Sequence, residues 1–219
     1  MLNLQLKKNN KPEVQAYEIK IRNPNLSLQD LLNEINEFFD RAKLSRMWPG
    51  NKKDCSGCGI CCYEPLPLTA IDVENIIRAK ELDFKDVFRY LWLKAQGNVV
   101  DITLRRRKNQ SCVFLNSRSN ICSIYSYRPF ACQTYICCPG PPAMDKLRSQ
   151  VINQGMDELV RQGMCYFYQR GLSLPLKQGK QYKLRMEDWK PNAFTGKKSY
   201  SQLLLKDIVS SDLMKVLLL

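Results

Sequence analysis

Four cysteines fall within one short stretch, Cys55-Ser56-Gly57-Cys58-Gly59-Ile60-Cys61-Cys62, a C-x2-C-x2-C-C pattern. A second group comprises Cys132, Cys137 and Cys138, with Cys112 and Cys122 leading into it, and Cys165 stands alone downstream. This spacing constrains the fold more than any other feature. Thiols two residues apart belong on a tight loop around one metal centre, where each sulfur must come within about 2.3 Å of a zinc ion. Gly57 and Gly59 lie between these thiols and can take positive φ, which frees backbone N–H groups to point at sulfur.

A disulfide framework would require an oxidising compartment. The amino end, Met1-Leu2-Asn3-Leu4-Gln5-Leu6-Lys7-Lys8, lacks the apolar core of a signal peptide. A chain of 219 residues also buries enough surface to fold without staples. Scattered reduced core cysteines account for Cys165 but not for the two groups. Metal or iron–sulfur ligation is the remaining account. The chain contains no histidine, so a zinc site must be built from cysteine, with Asp or Glu as the other option. The same absence excludes a Ser-His-Asp or Cys-His hydrolase and a histidine-based hydrolytic zinc site.

Thirty-four basic residues stand against 21 acidic ones, a formal charge of +13. Four thiolates around zinc, or one [4Fe–4S] cluster, shift this by about −2, so the protein stays basic. Over thirds of the chain the surplus looks even. Residues 1–62 carry 10 basic and 7 acidic groups, residues 63–140 carry 11 and 7, and residues 141–219 carry 13 and 7. Arg105-Arg106-Arg107-Lys108 reads as a solvated hairpin end or a phosphate contact. No stretch reaches the roughly 18 apolar residues of a membrane span, and the expected location is the cytoplasm. No internal repeat is visible.

Alternation of Leu2, Leu4, Leu6 with Tyr17, Ile19, Ile21 predicts a hairpin. Ser27 with Asp30 opens a helix carrying Leu28, Leu31, Leu32, Ile35, Phe38, Phe39 and Ala42 at helical spacing, ended by Trp48-Pro49-Gly50. Tyr63 to Pro67 is extended. Thr69 with Asp72 starts a helix that buries Val73, Ile76 and Ile77. A further helix is expected after Asp83, burying Val87, Phe88, Leu91 and Trp92 and closed by Gly97-Asn98. Val99–Leu104 reads as a strand, and Val113–Leu115 with Ile121–Ile124 as a hairpin. Arg128-Pro129 begins a short helix bearing Cys132, whose amino end favours a thiolate cluster. A long helix runs from about Ala143 toward Arg170, and the end of the chain is helical from about Tyr200. The fold class is therefore α+β, mainly helical, with a small irregular cysteine-rich core and short hairpins around a metal or iron–sulfur centre. The expected organisation is one compact unit, 1–219, with a metal-binding core at 50–140 and a helical basic extension at 141–219.

The joint pattern of C-x2-C-x2-CC, Leu68-Thr69-x-x-Asp72, Cys112-x-Phe114-Leu115 and Cys122-x-Ile124-Tyr125-x-x-Arg128-Pro129-x-x-Cys132 resembles the YkgJ-type CxxCxxCC cysteine-cluster family, described as zinc- or iron-chelating. Flagellin lysine N-methylases carry a similar cluster. The resemblance covers roughly residues 54–135. It implies that Cys55, Cys58, Cys61, Cys62, Cys112, Cys122 and Cys132 are the metal ligands, with Cys137 and Cys138 as extra thiols. Three close ligands plus a distant fourth favour an iron–sulfur cluster, and an all-cysteine zinc cage is the alternative. As neighbours, Cys61 and Cys62 would face different centres. Asp72 reads first as a helix cap, and Tyr125 as a packed ring with a bonded hydroxyl. Arg128 reads as a donor to sulfur, a holder of an anionic substrate, or half of a buried ion pair.

Three functions follow. The first is a metal-binding protein whose centre folds the middle of the chain, so that chelation or Cys58→Ser unfolds residues 50–140. The second, implied by the methylase resemblance, is a protein methyltransferase using S-adenosylmethionine, although no G-x-G-type donor loop is present. The third is a zinc-stabilised nucleic-acid binder.

Overall fold

The alternating amino end closes as an antiparallel hairpin, β1 (Leu2–Lys8) with β2 (Gln15–Ile21), in the register Leu2↔Ile21, Leu4↔Ile19 and Leu6↔Tyr17. The computed structural model describes residues 2–8, 15–41, 59–135, 140–177 and 184–219. Helix α1 (Leu28–Arg41) starts where the sequence signals it. The Ser27 hydroxyl accepts from the Asp30 amide, and the Asp30 carboxylate accepts from the Ser27 amide at 3.1 Å. Its buried stripe is Leu28, Leu31, Leu32 and Ile35. The Trp48-Pro49-Gly50 stop lies outside the described residues.

Helix α2 (Ala70–Lys80) carries a complete capping box from Thr69 and Asp72. The next segment departs from expectation. Only a four-residue helix, α3 (Phe84–Val87), forms, followed by one 3-10 turn, Phe88–Tyr90. Leu91 and Trp92 then begin strand β3 (Leu91–Gln96), which pairs with β4 (Val99–Leu104). Leu91, Leu93 and Ala95 are buried at period two, and Trp92 points outward at 42% exposure. Strand pairing overrode helical spacing because a partner strand lies two residues away. Gly97-Asn98 is thus the hairpin turn, Gly97 having φ 60°. The second predicted hairpin is reduced to one bridge, Leu115↔Cys122. Helix α4 (Phe130–Thr134) follows Pro129 and carries Cys132.

Helix α5 (Pro142–Tyr168) connects two apolar clusters. Its first half packs Met144, Leu147 and Val151 with α1, β2 and the closing helices α6 (Leu205–Ile208) and α7 (Ser211–Leu217). Its second half packs Leu159, Val160 and Phe167 with α2, the β3–β4 hairpin and the loop of Cys112. Buried Glu158 receives both Arg161 donors at 2.7 Å and the Thr195 hydroxyl at 2.8 Å, which ties α5 to the segment before Tyr200. The architecture is a mainly helical α+β fold with two separate two-stranded antiparallel sheets. No helix among the described residues is long and apolar enough to cross a membrane.

Candidate metal centre

Gly59, at φ 68°, turns the first cysteine loop into a 3-10 turn, Ile60–Tyr63, which holds Cys61 and Cys62. No other residue fits Gly59 well, because a Cβ there would meet Asn120 Oδ1 at 2.7 Å. The Cys62 carbonyl accepts from the Cys112 amide at 2.6 Å, fusing the two cysteine segments. Cys122 lies opposite Leu115, and Cys132 arrives on α4. Cys61, Cys62, Cys112, Cys122 and Cys132 all line one cavity of about 70 Å³. All five are free thiols, as is Cys165. Cys61 and Cys62 share a hydrogen bond and line the same cavity. Cys55, Cys58, Cys137 and Cys138 lie outside the described residues. Cys165, on α5, does not line the cavity.

The electrostatics are those of thiols gathered without a counter-ion. Cys62 is pushed far up by its hydrogen bond with Cys61, by burial and by the thiols around it. Burial raises Cys112, Cys122 and, most strongly, Cys132, and each also feels the negative charge of neighbouring thiols. Opposing influences are already built in. Cys112 sulfur accepts from the Phe114 amide at 3.4 Å and from the Leu115 amide, and Cys122 sulfur accepts from the Ile124 amide. Arg107 acts on Cys112, while Arg128 and Lys80 act on Cys122, each favouring the thiolate. Backbone N–H donors two residues after a cysteine stabilise a sulfur ligand once a cation replaces the proton.

The foundation of this cavity is Asp72. Its Oδ1 accepts from the Phe130 amide at 2.7 Å and from the Tyr200 hydroxyl at 2.7 Å, and its Oδ2 accepts from the Thr69 amide at 2.9 Å. Since Tyr200 donates to Asp72, the Thr69 hydroxyl donates to Tyr200 across 2.6 Å. Asp72 is therefore a cap and also a clamp that fixes the start of α4, two residues before Cys132. Complete burial raises its carboxyl to about 6 against these hydrogen bonds.

Among the described residues Arg128 has no carboxylate partner. Its guanidinium lies 4.0 Å from the ring centre of Tyr125, and its Nη2 donates to Asn36 Oδ1 at 3.4 Å. Its Nε–H is buried without an acceptor. Tyr125 is consequently a half-open platform, 39% exposed, rather than a packed ring. Asn36 also donates to Gln133, which donates to the Arg128 carbonyl at 2.7 Å, so α1 braces α4. Nothing in the sequence marks Asn36 or Gln133, because their role depends on a contact spanning 97 positions. The Arg105–Lys108 run is the exposed start of a small hairpin, where Arg106 bridges Cys112 antiparallel and the Arg107 amide donates to the Ser111 carbonyl at 2.8 Å. It follows β4, and Arg107 organises the cysteine loop by donating to the carbonyls of Leu115 and Val113 at 2.6 and 2.7 Å.

Soft thiolates alone suit zinc or an iron–sulfur cluster, and the sulfur-directed amides and orphaned Arg128 donor agree with an anionic thiolate centre. Among the described residues no three Cys, Asp or Glu side chains are grouped tightly enough to hold an ion unaided.

A cysteine-lined cavity on a mainly helical frame defines the class. Residues 54–154 match the family profile "CxxCxxCC: Putative zinc- or iron-chelating domain". No curated protein and no solved structure matches the chain.

Proposed function

We propose that the protein binds a [4Fe–4S] cluster through thiols of the 55–62 loop together with Cys112, Cys122 and Cys132. The observation that carries this reading is the cavity: five thiols from the two cysteine segments and α4 converge on one small space. Closely spaced ligands plus distant ones match cluster binding more closely than a minimal zinc cage does. When bound, such a centre supplies electron transfer or a structural cross-link between its loops. The protein's own residues hold the thiols, donate N–H groups to sulfur and offset the negative charge through Arg107, Arg128 and Lys80.

Zinc in the same thiols is the second reading, since soft thiolates suit zinc as well as an iron–sulfur cluster. Methyl transfer at this cavity finds less support. A drug-sized molecule such as S-adenosylmethionine occupies a pocket of about 300–1,000 Å³, far above the 70 Å³ beside the thiols. Purification without oxygen, followed by visible absorption and assay of iron, sulfide and zinc, separates these readings. A brown protein with stoichiometric iron and sulfide supports the cluster. A colourless protein with zinc supports the cage, and neither metal would overturn both. Binding of S-adenosylmethionine by calorimetry would restore the methylase alternative.

A further inference from the structure

From Ile102 to Met144 the chain has six cations, Arg105, Arg106, Arg107, Lys108, Arg118 and Arg128, and not one carboxylate. The even balance over thirds of the chain conceals this stretch. It also contains Cys112, Cys122 and Cys132. None of the six cations is ion-paired among the described residues; the ion pairs described are Arg148–Asp145, Arg161–Glu158, Arg185–Asp188 and Lys215–Asp212.

The fold gathers these cations around one surface. Arg106 and Arg128 line the thiol cavity. A groove of about 440 Å³ runs beside it, between Arg107 and Arg118, sharing the wall residues Phe114 and Leu115. A second groove, about 680 Å³, shares Leu104 and Arg106 with the cavity and adds Lys94 and Trp92. Two carboxylates touch this surface, Glu64 on the cavity and Asp101 on the second groove. Several cations are fixed in place by backbone carbonyls: Arg105 by Arg89, Arg106 by Tyr63, and Arg107 by Leu115 and Val113. Less side-chain entropy is then lost when an anion binds. Apolar groups stand among them, with Ile121 47% exposed and Tyr63 46% exposed.

We propose that this surface, centred on the thiol cavity, docks an acidic protein. Unpaired cations call for carboxylates. The exposed Ile121 calls for an aliphatic or aromatic contact, which a protein supplies and a phosphate backbone does not. Arginine, tyrosine and tryptophan around an apolar spot are the residues enriched where proteins meet. One face of Tyr125, an exposed aromatic ring on the cavity, is covered by Arg128, which reduces its use for stacking bases. The inference rests on charge distribution and stands whichever metal the cysteines hold.

The test is fluorescence anisotropy with the full chain and a labelled peptide that alternates glutamate with leucine and tyrosine. Lys108→Glu with Arg118→Glu alters two exposed cations of the surface that have no described side-chain partner. Lys190→Glu with Lys206→Glu alters two exposed cations on other segments and changes the net charge equally. Affinity should fall about tenfold in the first double variant and less than about twofold in the second. Both should melt like the parent. Equal losses in the two would overturn the proposal by reducing it to bulk attraction. A single-stranded oligonucleotide that binds more tightly than the peptide and is lost in the first variant would overturn it in favour of a nucleic-acid interface.

Discussion

Arg128 presents a buried Nε–H that no protein atom accepts, beside a cavity lined with sulfur. An unmade buried donor costs about 1–3 kcal/mol, so an acceptor that arrives with the centre recovers that loss. Arg128→Lys keeps the charge but loses the Nε donor and the flat stack on Tyr125. Its metal affinity should fall about 10-fold or more, read by competition with a chromophoric chelator. Equal affinity in the two proteins would assign the orphan donor elsewhere. Asp72 gives a different signature. Its carboxyl titrates near 6 in the fold against 3.8 for the free group. Between those values the folded state holds the extra proton, so stability falls as pH rises through the window and stays lower above it. That rise in pKa amounts to roughly 3 kcal/mol. Asp72→Asn should remove this slope between pH 4 and 6 while losing one acceptor, and thermal unfolding across pH should record both. An unchanged slope would mean that another group titrates there. The capping role of Asp72 was legible four residues at a time. Its bonds to Phe130 and Tyr200 span 58 and 128 positions, and no local pattern encodes them.

At the scale of elements, α2 and α5 touch through a glycine. A Cβ at Gly155 would stand 2.5 Å from both Cβ and Cγ2 of Thr69 and 3.0 Å from Phe194. Thr69 cannot yield freely, because it caps α2 and bonds Tyr200. Gly155→Ala should therefore destabilise by about 1–3 kcal/mol despite a gain of up to about 1 kcal/mol in helix propensity. The melting temperature should drop by several degrees, at about 2–4 °C per kcal/mol for a chain of this size. A melting temperature at or above the parent's would show that the two helices can part. Helix starts were legible wherever a capping pair precedes an apolar stripe, as at Ser27 and Thr69. The β3 strand was not, because Val87, Phe88, Leu91 and Trp92 suit helical spacing equally well until β4 is considered. The cysteine segments stood out by spacing but were illegible as structure, since their shape comes from bonds such as Cys112 to the Cys62 carbonyl.

At the scale of the whole molecule, the apolar clusters meet along α5, and the cysteine segments lean on the second of them. Burial keeps these thiols protonated in the metal-free fold, and a centre that replaced the protons would add cross-links worth on the order of 10–16 kcal/mol. Removing the metal under reducing conditions should lower the melting temperature sharply. Hydrogen exchange should show the loss of protection first in residues 59–135, with α1 and the closing helices protected longer. A metal-free protein that melts unchanged would deny the centre any structural role.

Tyr200, which completes the bonds around Asp72, has a consequence of timing. A ribosome adds all ten cysteines before it adds Tyr200. The nascent chain therefore displays its whole set of sulfurs while the anchor for α4 is still unmade. A centre that requires α4 in place would then be loaded only after the last segment has been made.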